Sequence, residues 1–193
     1  MSKDSSADGA GARRPDRRPA RTVRKVLDAG LAELRASSYA DLTMRAVAHR
    51  AGVSPASAYN YFPSKSVLVA SVYLDLLTNS APQTTVDAGA PARVSAAMRD
   101  MALLTTPHPE LTAAFGTALM ADDPAVRPVA IQIATELQRR LDAALGPGYP
   151  PSVTTTLMMT FSGALVTSHF QTIDEVNAQL DQAVETILGQ PVS

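Results

Sequence analysis

Apolar residues return every three or four positions along most of this chain, the period of a helix with one buried face. Val23, Val26, Leu27, Gly30, Leu31 and Leu34 form one stripe and predict a helix over 21–36. Met44, Val47, Ala48 and Ala51 form the next, with Thr43 placed to cap it and Gly52 placed where it must turn back. Ser54 and Pro55 read as the N-cap and first position of a third helix ending near Phe62. Ser64 opens a fourth, over 64–79, whose Val67, Leu68, Val72, Tyr73, Leu76 and Leu77 are too many for one narrow face. That helix is expected to be covered on more than one side. Pro82, Gly89 and Pro91 mark a loop. Further helical patterns occupy 92–106, 109–121, 124–145, 152–170 and 174–188, punctuated by Pro107, by Asp123 as a cap and by the Gly146–Pro151 run GPGYPP. No stretch shows the two-residue alternation of a strand, so the reading is all-α with about nine helices.

The segment 43–65 organises the rest. Helix, glycine turn and helix make a helix-turn-helix, whose second helix is shaped for a major groove. On that second helix Ala58, Tyr61 and Phe62 can pack inward. Pro55, Ala56, Ser57, Tyr59 and Asn60 are left outside, small, hydroxyl and amide groups able to approach base edges or phosphates. Lys65 follows the Ser64 cap, where an ammonium can reach a phosphate. The competing reading is an ordinary helical hairpin with a solvated outer face.

Charge changes this picture. The chain is nearly neutral at −1, but up to Lys65 it holds 12 Lys and Arg against 6 Asp and Glu, and beyond Lys65 it holds 5 against 12. A basic first third around a helix-turn-helix fits a nucleic-acid face, and an acidic remainder argues against DNA wrapping the whole molecule. Residues 1–20 are rich in Ser, Ala, Gly, Asp, Arg and Pro and are expected to be a disordered basic arm. Arg13, Arg14, Arg17 and Arg18 can follow a minor groove or simply solubilise a tail. The absence of cysteine rules out disulfides and thiolate metal sites. No apolar run follows the N-terminal arginines, so no signal peptide is expected, and the chain reads as cytoplasmic.

Thr43, Arg45, Val47-Ala48, Ala51-Gly52-Val53-Ser54, Ser57, Tyr59, Tyr61-Phe62, Ser64-Lys65 and Leu68 together resemble the tetracycline-repressor (TetR) family of bacterial regulators. The likeness is dense over 43–68 and extends over about 21–73. Ala56 stands where the family commonly has Gly, and Ala58 where it commonly has Leu or Ile. The resemblance implies a DNA-binding domain over 21–65 and a helical ligand-binding and dimerisation domain over 66–193. It implies Thr43, Tyr61 and Lys65 on phosphates, Arg45 on a base or phosphate, and Pro55, Ala56, Ser57 and Tyr59 toward the groove. Ser54 at the helix start and Asn60 by its direction complete the expected DNA face. The fourth helix would transmit ligand occupancy to that face.

The stretch 143–173 holds no Asp, Glu, Lys or Arg, yet its threonines and serines make a poor membrane span. It is expected to be buried from several directions. With the last helix it is expected to pair with its copy in a second subunit, through Leu157, Ala164, Leu165, Ser168, Val176, Leu180, Val184 and Ile187. An intramolecular core is the alternative. Two-fold symmetry would set two recognition helices on a palindromic operator in double-stranded DNA. Met98, Met101, Met120, Met158, Phe115, Phe161, Leu137 and His169 suggest an apolar cavity for an apolar or amphipathic effector, although each alone reads equally as core. Neither a phosphate loop nor a nucleophile elbow is present. His169 near Asp174 and Glu175 is weak ground for a metal, so neither an enzyme nor a cofactor is expected. The rival to a ligand-responsive repressor is a dimeric interaction protein lacking sequence-specific DNA binding.

Overall fold

The computed structural model describes residues 18–81, 88–167 and 170–189. Among the described residues it contains nine α-helices, one 3₁₀ turn and no strand. In order these are α1 (Arg18–Ala36), α2 (Met44–Ala51), α3 (Pro55–Tyr61), α4 (Lys65–Asn79), α5 (Ala90–Leu103), α6 (Pro109–Leu119), the 3₁₀ turn Pro124–Val126, α7 (Arg127–Leu145), α8 (Pro151–Thr167) and α9 (Ile173–Leu188). The expected arm over 1–20 lies outside the described residues as far as 17; residues 18–20 form the first turn of α1.

Local chemistry explains the boundaries that periodicity blurred. The pattern over 124–145 divides because Pro128 has no N–H to donate to the carbonyl four residues back. The Arg127 N–H bonds the Pro124 carbonyl in 3₁₀ fashion instead, and Asp123 caps the Ala125 N–H at 2.9 Å. α5 stops at Leu103 rather than 106 because the chain tightens there, with Thr106 N–H on Leu103 O at 3.0 Å and His108 N–H on Thr105 O at 2.7 Å.

α4 is the axis of the molecule. Ser66, Val67, Leu68, Val69, Ala70, Val72, Tyr73 and Leu77 are all buried. α1, α6, α7 and the 3₁₀ turn all pack on α4, and α1 also touches α6. The close crossing of α1 over α4 depends on Gly30, since a Cβ there would lie 3.1 Å from the Leu68 side chain. Two arginines end helices other than their own. Arg140, 5% exposed, donates to the Leu77 carbonyl and to Ser80 O at 2.8 Å, closing α4. Arg93 donates to Ala144 O at 2.8 Å and Leu145 O at 3.0 Å, closing α7. Each supplies donors to carbonyls that a helix end leaves unpaired. Polar links joining the first three helices and the turn before α4 to the rest include Arg24 to Asp75 at 2.6 Å, Arg35 to His108 at 2.8 Å, and Ser64 to Asp123 at 2.5 Å.

The outer pair of helices corrects one expectation. Leu157, Val176, Leu180 and Val184 are at most 1% exposed inside the single chain. They pack α8 and α9 against each other and against the helices beneath, so they are not available to a partner subunit. Ala164, Leu165 and Ile187 are partly buried against the same core. Ser168 lies outside the described residues. The face of α8 that remains open carries Met159 and Val166, with Phe170 just beyond the helix, at 74%, 66% and 86% exposed.

Candidate nucleic-acid interface

The turn between α2 and α3 is built from local hydrogen bonds. Thr43 caps α2 by accepting from the Ala46 N–H at 3.2 Å. Gly52 then adopts φ 65°, ψ 38°, the left-handed region. Its N–H bonds His49 O at 3.1 Å, and the Val53 N–H bonds Ala48 O at 3.0 Å. This paired closure is the Schellman ending of a helix. Ser54 starts α3 two residues later, accepting from the Ser57 N–H at 3.1 Å, with Pro55 at the first helical position. The sequence therefore sets the angle between the two helices through capping chemistry within a dozen residues.

Packing then decides which side of α3 faces out. Ala58 is fully buried and Phe62 nearly so, at 4% exposed. Opposite them Ser54, Pro55, Ala56, Tyr59 and Asn60 are exposed, and Ser57 is half-buried. Tyr61 stands at the edge, 38% exposed. Thr43 and Arg45, at the start of α2, are exposed beside this face. Among the described residues no carboxylate holds Arg45, whereas Arg50 is tied to Glu33 at 2.5 Å and Arg24 to Asp75 at 2.6 Å.

Lys65 has work that the sequence did not reveal. Its ammonium donates to Tyr39 O at 2.9 Å and Ala40 O at 3.1 Å and lies 4.6 Å from the Tyr39 ring centroid. It clamps the α1–α2 turn to the start of α4, leaving one of its three N–H donors for a phosphate. The Tyr39 hydroxyl adds a bond to the Ser66 hydroxyl at 2.8 Å.

The sequence profile described as bacterial regulatory proteins, tetR family, matches residues 26–72. An uncharacterised HTH-type transcriptional regulator of Mycobacterium tuberculosis strain H37Rv is 46% identical over 178 residues, covering 90% of this chain and 84% of that protein. The chain belongs to the TetR family. An uncharacterised HTH-type regulator of Mycobacterium bovis shows the same 46% identity over 178 residues. A TetR transcriptional regulator from Rhodococcus sp. RHA1 shares the fold, with a TM-score of 0.78 at 18% identity over 92% of this chain and all of that one. A tetR-family regulator from Streptomyces coelicolor does so with a TM-score of 0.63 at 15% identity, over 88% of this chain and 81% of that one. The protein is accordingly a DNA-binding transcriptional regulator with an N-terminal helix-turn-helix. No helix among the described residues is long and apolar enough to cross a membrane.

The residues expected to line an effector cavity of this TetR-family protein do not come together. Met98, Met101 and Leu137 are buried core. Phe115 stacks on Tyr73, centroids 4.0 Å apart. Met158 packs against the core, and Met120 is 89% exposed. His169 lies outside the described residues. Phe161 borders a cavity of about 340 Å³ between the ends of α5, α6, α8 and α9. Around it stand Ala102, Thr105, Thr112, Leu165 and Val176. Two of these, Leu165 and Val176, were expected to face a second subunit. Nothing in the sequence singled out the threonines, because the cavity joins four elements distant in the chain. Among the described residues no three His, Asp or Glu side chains gather to hold a metal.

Proposed function

We propose that this regulator is a homodimeric repressor that leaves a palindromic operator when a small apolar or amphipathic molecule occupies its helical domain. The observation that carries the DNA half of this reading is the outward face of α3, with Tyr59 and Asn60 exposed beside an unpaired Arg45. Ser54, Pro55, Ala56 and Ser57 approach the groove floor, and Thr43, Tyr61 and the remaining donor of Lys65 meet phosphates. Residues 21–65 act as the DNA-binding unit and 66–193 as the unit that binds ligand and dimerises. The open stripe of Met159, Val166 and Phe170 supports dimerisation through α8. A protein reaching chromosomal DNA in a bacterium works in the cytoplasm.

The test is a titration of purified protein against the DNA upstream of its own gene, at two salt concentrations, with Arg45→Ala and Tyr59→Ala beside it. Tight binding to one short palindrome should weaken as salt rises, with a slope near −0.9 per neutralised phosphate. Each variant should lose about 1–3 kcal/mol of specific binding while keeping its helical circular dichroism. If neither that region nor selection from a random DNA pool yields a site, the repressor reading falls and a dimeric interaction protein takes its place.

A further inference from the structure

We infer that the cavity between α5, α6, α8 and α9 is built for an uncharged molecule, largely apolar, that presents an oxygen acceptor to threonine hydroxyls. This deepens the ligand-responsive reading above and rests on it for its regulatory meaning. No described residue lining the space is charged; the walls are alanine, proline, leucine, isoleucine, valine, Phe161 and three threonines, Thr105, Thr106 and Thr112. An ionised ligand would enter without a counter-charge and give up hydration with no charged partner to compensate. At about 340 Å³ the space suits a ligand on the order of a dozen to twenty heavy atoms.

The threonines supply the second, independent observation. Other threonine hydroxyls of the helical domain are spent within the chain: Thr117 on Ala113 O at 3.1 Å, Thr156 on Ser152 O at 2.9 Å, Thr160 on Thr156 O at 2.9 Å, and Thr154 on the Asp142 carboxylate at 2.7 Å. Among the described residues the hydroxyls of Thr105, Thr106 and Thr112 make no hydrogen bond; Thr105 is only 7% exposed, Thr112 is partly buried and Thr106 is exposed. A hydroxyl that makes no bond within the chain and borders an otherwise apolar space is a donor available to an acceptor on a ligand. All three lie at one end of the cavity, where α5 gives way to α6. The ligand's acceptor is therefore at that end, and its apolar body lies along Phe161, Leu165 and Val176. The same end adjoins the DNA-binding helices, since His108, between Thr106 and Thr112 in the chain, accepts from Arg35 of α1 at 2.8 Å.

The experiment uses the full chain and two dyes of one skeleton: neutral N-phenyl-1-naphthylamine, and 8-anilino-1-naphthalenesulfonate, which adds a sulfonate. Their fluorescence is followed as 2-decanone, decanoate or decylamine is added. The neutral dye should bind at least tenfold more tightly than the sulfonate, and 2-decanone should displace it at concentrations at least tenfold below those needed of the two ions. Thr105→Val should weaken 2-decanone about fivefold without weakening the neutral dye. Ala164→Phe, which fills the space, should abolish both, with melting curves checking that each variant is folded. Equal or tighter binding of decanoate, retention of the dye by Ala164→Phe, or no loss with Thr105→Val would each overturn the assignment. Release of operator DNA is read separately. A cavity that binds 2-decanone while DNA stays bound would support the ligand chemistry and sink the regulatory reading alone.

Discussion

Tyr73 shows most plainly what burial does to a single side chain. Its ring stacks on Phe115, and its hydroxyl is buried with no hydrogen-bond partner. Removal from water pushes its pKa up to about 12, with the Arg140 charge opposing in the lesser degree. Tyr73→Phe keeps the stacked ring and discards the unsatisfied hydroxyl. It should therefore leave neutral-pH stability unchanged or raise it by about 1 kcal/mol in urea unfolding. The pH dependence has a definite sign. The folded pKa lies above the unfolded value near 10, so the protonated hydroxyl's contribution is intact below 10 and is lost as pH rises toward 12. The gap between variant and wild type should widen across that window; a gap that narrows would mean the hydroxyl is satisfied after all. At the same scale, most of the outward-facing residues on α3 could be read from sequence because burial there follows from one short helix. Lys65 could not, because its partners are carbonyls twenty-five and twenty-six residues earlier.

At the scale of the element, caps and turns carry the helix-turn-helix. Gly52 has φ 65°, and a Cβ built there would meet nothing within 4 Å. The cost of a side chain at Gly52 is therefore purely that of the left-handed backbone, about 1 kcal/mol for alanine. Gly52→Ala should lower stability by that amount, and Gly52→Asn by less, since asparagine tolerates this region. Equal losses for the two, measured by thermal or urea unfolding, would point to a steric cause and contradict the open space. The elements themselves were legible because each is signalled locally: Thr43, Ser54 and Ser64 all cap as their sequence positions suggested. What was not legible was the division at Pro128 and the early end of α5. A stripe of apolar residues continues through a change of helix type, so hydrophobic period alone does not register it.

For the whole molecule, the question is which apolar residues serve the protomer and which serve a pair. Met159 and Val166 occupy the open side of α8, while Leu180 of α9 is 1% exposed. Met159→Glu and Val166→Glu should yield folded monomers by sedimentation, with weakened binding to a palindromic site. Leu180→Ala should instead lose about 2–5 kcal/mol of stability through the cavity it leaves. If Met159→Glu and Val166→Glu remain dimeric at micromolar concentration, α8 is not the subunit contact. A specific interface needs roughly 800 Å² from each partner, more than three side chains supply, so neighbouring parts of α8 and α9 must take part.

The sequence by itself determined the helical content, the helix-turn-helix, its glycine corner and most of the outward set on α3, though Tyr61, read as packing inward, stands exposed at the edge and Ser57 is half-buried. All of these follow from periodicity, capping and backbone conformation within a few residues. Tertiary structure alone decided the roles of the second half. Leu157, Val176, Leu180 and Val184 look the same in sequence whether they meet their own chain or another, because an apolar stripe records that a face is covered and not by what. The cavity was equally hidden. Its uncharged wall and idle threonine hydroxyls arise where four helix ends converge, and no spacing along the chain encodes that convergence.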